Sequence, residues 1–184
     1  MPHNLLITGF GPFLDVDDNP SGKLAQALQG AILTTSIGPV QLCSKVLAVR
    51  YETAASETLL AARQINAIGI LGMGVARGAT APRVERTGRA HCDGLTKDAA
   101  GETRTTLGDV ETLSTAWAEP LARALGVAVS DDAGAYVCNA WLYGVLASGT
   151  GKAGDRPTAF LHLPDAGLAP EVLTAALVTW IDGF

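Results

Sequence analysis

Ala67-Ile68-Gly69-Ile70-Leu71-Gly72 is an unbroken apolar run with no polar residue in alternate positions. A strand of this kind is buried on both faces, which is the signature of a sheet covered by helices on each side. The segments around it alternate in type. Before it, residues 52–64 read as a helix, with Ala54, Ala55, Leu59, Leu60 and Ala61 near one side. Further upstream, Asn4-Leu5-Leu6-Ile7-Thr8-Gly9 is a second apolar strand. Asn19-Pro20-Ser21 opens a helix that runs through Leu28 and stops at Gly30, because Asn caps and Pro suits the first helical position. Residues 40–49 are strand-like. Downstream, 110–117 and 120–125 read as helical, and Leu125-Gly126-Val127-Ala128-Val129-Ser130 as a strand. An apolar helix follows at 140–146, then the strand Ala159-Phe160-Leu161-His162-Leu163-Pro164, then a closing helix over 170–181. Alternation of this kind predicts an α/β fold: one domain over residues 1–184, with a mostly parallel twisted sheet flanked by helices on both faces. In such folds the functional site lies at the carboxyl ends of the strands. Residues 9–13, 72–77, 130–138 and 162–164 all fall at such ends and are expected to converge. Residues 73–108 carry many Arg, Gly, Thr and Asp and little apolar periodicity. Irregular chain of that length in a compact domain usually serves function.

The composition excludes several classes. With a formal net charge of −5, the chain lacks the basic surface that nucleic acid or an anionic membrane requires. No apolar run is long enough to span a bilayer, and the N-terminus does not read as a signal peptide. Cys43, Cys92 and Cys138 are odd in number and widely spaced, as are His3, His91 and His162. They form neither a disulfide framework nor a metal-ligand spacing, so a reducing cytoplasm and no metal are expected.

Two residues carry the potential chemistry. Cys138 opens an apolar helix behind Ala133-Gly134-Ala135-Tyr136-Val137. The positive end of a helix favours thiolate over thiol, and thiolate is the nucleophile. His162 is a polar residue in an apolar strand, and a lone Cys with a distant His is how a cysteine hydrolase looks in sequence. Cys also serves as core filler and His as a satisfied core residue, so the pattern alone leaves both readings open. The loop Gly9-Phe10-Gly11-Pro12-Phe13 shows two aromatics about a Gly-Pro turn at a strand end. It suits clamping of a small flat ring, or else plugging of the core. Without a Lys it is a poor phosphate loop.

These motifs carry a resemblance. Gly9-Phe10-Gly11-Pro12-Phe13 with Asn19-Pro20-Ser21 resembles the N-terminal signature of the pyroglutamyl peptidase I family. Ser130, Ala133-Gly134, Tyr136-Val137-Cys138-Asn139 and Tyr143 resemble its nucleophile motif, and Phe160-Leu161-His162-Leu163-Pro164 its histidine motif. The resemblance implies a cytoplasmic cysteine exopeptidase of the omega type that removes N-terminal pyroglutamate, with no cofactor. It implies N-terminal pyroglutamyl peptides as partners and a homo-oligomer, dimer or tetramer. Cys138 would be the nucleophile, His162 its base, and Phe10 and Phe13 the walls of the ring slot.

One stretch departs from the family pattern. Gly72-Met73-Gly74-Val75-Ala76-Arg77 stands where bacterial members read Gly-Gln-Ala-Gly-Gly-Arg, so Met73 occupies the position of a ring-contacting Gln. Aligned without a gap, Arg83 falls on the His-orienting Glu of the family. With two extra residues, Glu85-Arg86 matches its Glu-Arg pair, and the shift keeps the side chain on one face of an extended segment. Glu85 is therefore the expected third member. Asp93, Asn139 or a backbone carbonyl are the alternatives. The same departure leaves a second function open, a relative that binds pyroglutamyl or similar small cyclic amides without efficient turnover. A hydrolase for another cyclic amide is a third.

Overall fold

The computed structural model describes residues 2–13, 17–151 and 155–184. Its first strand, β1 (His3–Phe10), runs parallel to β3 (Gly38–Leu47) on one side and to β4 (Ala67–Val75) on the other. β9 (Thr158–Leu163) continues the parallel set next to β4. Beyond β9, β5 (Arg83–Glu85) pairs antiparallel to it, and β8 (Ala128–Ser130) pairs parallel to β5. At the other edge β2 (Ile32–Thr35) forms a hairpin with β3, so the full order is β2-β3-β1-β4-β9-β5-β8. The expected α/β class, with a mostly parallel sheet, is what the chain adopts.

Helices cover both faces. α1 (Pro20–Leu28), α3 (Ala118–Leu125) and α5 (Pro170–Ile181) pack over one apolar cluster, which takes Leu5 and Ile7 from β1 and Leu161 and Leu163 from β9. α2 (Ala54–Gln64) and α4 (Val137–Ala147) pack over the other, which takes Leu6, Phe10, Ile70 and Phe160. Neighbouring residues of one strand thus enter different cores, as the two-residue period of a strand demands. Trp141 Nε1 donates to Thr58 Oγ1 at 2.8 Å, which ties α4 to α2. α1 sits tightly on the end of β1. A Cβ at Gly9 would lie 2.1 Å from the Ser21 carbonyl oxygen, so only glycine permits that approach.

Three expectations need correction. Residues 110–117 are not helical: β7 (Thr112–Ser114) pairs antiparallel with β6 (Thr87–Arg89), and α3 begins only at Ala118. The apolar spacing there arises because Leu113 packs against one core cluster and Trp117 against the other. The strand expected at 125–130 shrinks to three residues at the sheet edge, since α3 runs to Leu125 and Gly126 closes it with a left-handed φ of 68°. The irregular stretch 73–108 holds the end of β4 and the short strands β5 and β6. β5 escaped notice because Val84 is its only apolar residue. Among the described residues no helix is long and apolar enough to cross a membrane.

Candidate active site

Cys138 is the second residue of α4. Its helix is entered from Tyr136, whose backbone is extended at φ −122° and ψ −160°. First-turn N–H groups have no carbonyl one turn earlier to bond, so they add their positive ends to the helix dipole around the half-buried sulfur. α4 is held at this height by Asn139, which is fully buried. Its side chain accepts from Arg89 N at 2.8 Å and donates to the carbonyls of Arg89 at 2.9 Å and His91 at 3.0 Å. Asn139 therefore anchors the helix to β6 and the residues after it, and its hydrogen bonds do not go to His162.

His162 faces Cys138 from β9. Its register partner on β4 is Gly74, where an added Cβ would lie 2.6 Å from Cys138 Sγ. The sulfur thus rests on the sheet, and only the missing side chain admits it. His162 is buried, lines the same cavity as Cys138 and, through Nδ1, is bonded to Glu85 Oε1 at 2.6 Å. With Nδ1 taken by the carboxylate, Nε2 is the nitrogen that serves the sulfur. The Phe160 ring stands edge-on to the imidazole, with centroids 5.1 Å apart and planes at 82°, and this contact limits ring rotation.

Glu85 is fully buried at the end of β5, opposite Phe160 in register. Arg83 Nε donates to the same Oε1 at 2.7 Å. Burial pushes the Glu85 carboxyl upward, but the hydrogen bond from His162 and the charges around it outweigh burial, and the group is held below its ordinary range. For His162 burial pulls downward. The charge and hydrogen bond of Cys138, with the bond and charge of Glu85, overcome it and push the imidazole up to about 9. The arrangement suits an imidazolium held between thiolate and carboxylate, which is what nucleophilic attack followed by proton delivery requires.

The remaining expected residues separate. Asp93 is exposed, and its carboxylate accepts from the amides of Leu95 at 2.8 Å and Thr96 at 2.9 Å, away from the histidine. Met73 is also not in the site. It is fully buried in the core under α1 and α5, because Gly72 and Gly74 occupy the face that looks toward α4 and a strand alternates its faces. Phe10 and Phe13 both line a cavity of about 520 Å³ in front of Cys138 and His162. Phe10 is nearly buried and doubles as core, while Phe13 is half-buried. Their loop is fixed by the helix cap: Asn19 Nδ2 donates to Gly11 O at 3.0 Å, and Phe10 N donates to Ser21 Oγ at 3.0 Å. Tyr136 is a cavity residue that the sequence reading quoted only as part of a motif. Its ring lies 5.3 Å from that of Phe13, tilted 33°, and 5.3 Å from that of Tyr51. The available signal was scarcity, since it is one of three tyrosines and stands two residues before the cysteine. Among the described residues that line the cavity, the arginines are Arg77 and Arg83, and there is no Asp or Glu.

Comparison with known proteins agrees with this geometry. The sequence pattern of the pyroglutamyl peptidase family matches residues 3–175. The pyrrolidone-carboxylate peptidase of Deinococcus radiodurans is 32% identical over 178 aligned residues, covering 87% of this chain and 77% of that protein. The fold is similar to that of pyrrolidone carboxyl peptidase from the hyperthermophile Pyrococcus furiosus. A point mutant of that protein superposes with a TM-score of 0.80 at 22% identity, covering 97% of this chain and 96% of the other. A structure of the same protein, described with its cysteine-free mutant, gives 0.79 at 22% identity, covering 98% and 97%.

Proposed function

This chain belongs to the pyroglutamyl peptidase family, and from that premise we propose that it hydrolyses the amide bond after an N-terminal pyroglutamyl residue, with Cys138 as nucleophile, His162 as acid–base and Glu85 as the carboxylate that orients His162. The observation that carries the assignment is the buried His162–Glu85 pair, bonded at 2.6 Å, in a cavity that His162 and Cys138 line together. A binding protein without turnover has no need of a buried carboxylate aimed at the histidine.

The Cys138 thiolate attacks the pyroglutamyl carbonyl carbon. The oxyanion accepts hydrogen bonds from first-turn N–H groups of α4, that of Cys138 among them. His162 gives its proton to the leaving amine as the C–N bond breaks, leaving a thioester. Water then attacks the thioester with His162 as base; the C–S bond breaks, pyroglutamate leaves, and the thiolate–imidazolium pair is restored. Phe10, Phe13 and Tyr136 take the lactam ring. Specificity follows from charge: an ordinary N-terminus carries an ammonium group, and the described lining holds no carboxylate to meet it. Desolvating an unpaired ammonium in an apolar cavity is costly, whereas the neutral lactam avoids that cost.

Turnover of a fluorogenic pyroglutamyl amide by wild type and Cys138→Ala tests the reading. Loss of about 10⁴-fold or more in kcat is expected, the scale on which removal of a catalytic nucleophile acts. Binding of pyroglutamate by the wild type without any turnover would select the binding-protein reading. The free state of all three cysteines supports a cytoplasmic location. The family resemblance supports assembly as a dimer or tetramer. Light scattering at several concentrations tests the latter, and a monomer throughout would exclude it.

A further inference from the structure

We propose that Arg83 is a specificity residue that selects pyroglutamyl substrates carrying a carboxylate on the leaving side of the scissile bond. This rests on the peptidase reading of the same cavity. Arg83 precedes Glu85 by two residues on β5, so both side chains lie on one face, and Arg83 is the register partner of His162. It therefore sits beside the imidazole at the cavity wall. Its Nε holds Glu85 Oε1 at 2.7 Å, yet a third of the side chain is exposed (33%) while that of Glu85 is not exposed at all (0%). Arg83 is also among the residues that line the cavity, so part of it borders the space a substrate would fill. A guanidinium has five N–H donors, and only one of them is spent on this bond to Oε1.

Neutralising Glu85 does not account for that placement. The same oxygen already receives His162 at 2.6 Å, and a purely supporting cation need not line the cavity. The pyroglutamyl ring and the scissile amide are both neutral, so neither offers this charge a partner. The leaving portion of the substrate is where a partner can stand. A cavity of about 520 Å³ is larger than a lactam ring and accommodates part of the next residue. Glu85 already holds Nε, and none of the described lining residues is a further Asp or Glu that would compete for the guanidinium. The chain as a whole is acidic, with a net charge of −5. The attraction is therefore local to Arg83, not a property of the general field. Two carboxylates reach this place: the C-terminus of a pyroglutamyl dipeptide, or an Asp or Glu side chain directly after the scissile bond.

The test compares kcat/KM for pyroglutamyl-alanine, pyroglutamyl-alanine amide and pyroglutamyl-glutamic acid amide. A charge-assisted hydrogen bond at a partly exposed site should favour one or both acids over the neutral amide by about tenfold. Which acid gains identifies the source of the carboxylate. In Arg83→Gln the advantage should fall to about threefold or less, Arg83→Lys should keep part of it, and added salt should weaken it in the wild type. An Arg83 that merely holds Glu85 lowers all three substrates together and leaves their ratio unchanged. That result, or a wild-type ratio near one, overturns the proposal. The wild-type ratio needs no variant to fold. Absence of turnover with all three and with the fluorogenic amide would be the failure of the peptidase reading; calorimetric affinities of the wild type for the same peptides then supply the ratio.

Discussion

The two faces of the central sheet are built from the same strands and do opposite things. Toward α1, α3 and α5, β4 presents Leu71 and Met73, β9 presents Leu161 and Leu163, and β5 presents Val84, all fully buried in one apolar cluster. Toward α4 the alternate positions of the same strands hold Gly72 and Gly74, Phe160 and His162, and Arg83 and Glu85. Both faces carry an apolar cluster, but at the ends of β4, β9 and β5 the first is filled by side chains. The other is emptied by glycine so that a helix start can come close, and ionisable groups are set into the space. The difference teaches that stability and chemistry are separated here by residue parity, one residue apart along a strand, and not by domain or by loop. Substitutions that differ by a single position in number should therefore differ in kind.

The largest break of the pattern should come from Glu85→Gln. Removing the carboxylate that stabilises the imidazolium should lower kcat by roughly ten- to a thousandfold with a smaller change in KM, because the interaction strengthens in the transition state. Near-normal kcat would remove Glu85 from the site. The same variant has a signature in stability. The imidazole pKa of His162 is raised in the folded chain from its ordinary 6.5 to about 9. Its contribution is fully present below pH 6.5 and is lost as pH rises through about 9. Melting temperatures followed over that window should fall less steeply in Glu85→Gln, since one of the groups that raise the imidazole is gone.

Next in size is Gly74→Ala. The new Cβ would lie 2.6 Å from Cys138 Sγ and 3.0 Å from the Phe160 ring. Displacement of a nucleophile by a fraction of an ångström to an ångström costs up to about 10²-fold, so kcat should drop by ten- to a hundredfold. Its neighbour provides the contrast: Met73→Leu, on the opposite face, should leave kcat/KM within about threefold and change stability by less than about 1.5 kcal/mol, as volume-conserving core changes do. Equal kinetic losses in the two variants would end the parity argument. Phe13→Ala should lower kcat/KM by about tenfold, the worth of a stacking contact together with its area burial. A Phe13→Ala protein that is destabilised yet kinetically normal would return that ring to the core.

The pattern of buried runs made most of the fold legible, because a strand covered on both faces must be mainly apolar, and β1, β4 and β9 each carry such a run. β5 did not register, because three residues reading Arg-Val-Glu carry no periodic signal. Its place in the sheet is decided by pairing with β9 and β8. Residues 110–117 misled for the opposite reason, as their apolar residues serve two separate cores. Within the site, Cys138, His162 and the Phe10–Phe13 loop were legible as motifs. The resemblance also implied the location of Met73, and here strand alternation turned that side chain to the other face.

By itself the sequence determined the alternation of strands and helices and the parallel core of the sheet, because those depend on local periodicity, and it offered Cys138 and His162 as candidates by residue type and motif. Which carboxylate meets His162 was decided only by the tertiary structure. Glu85 and Asp93 are both plausible along the chain, but hydrogen bonding acts over about 3 Å. Only the antiparallel docking of β5 on β9 brings one carboxylate, that of Glu85, within that distance of the imidazole.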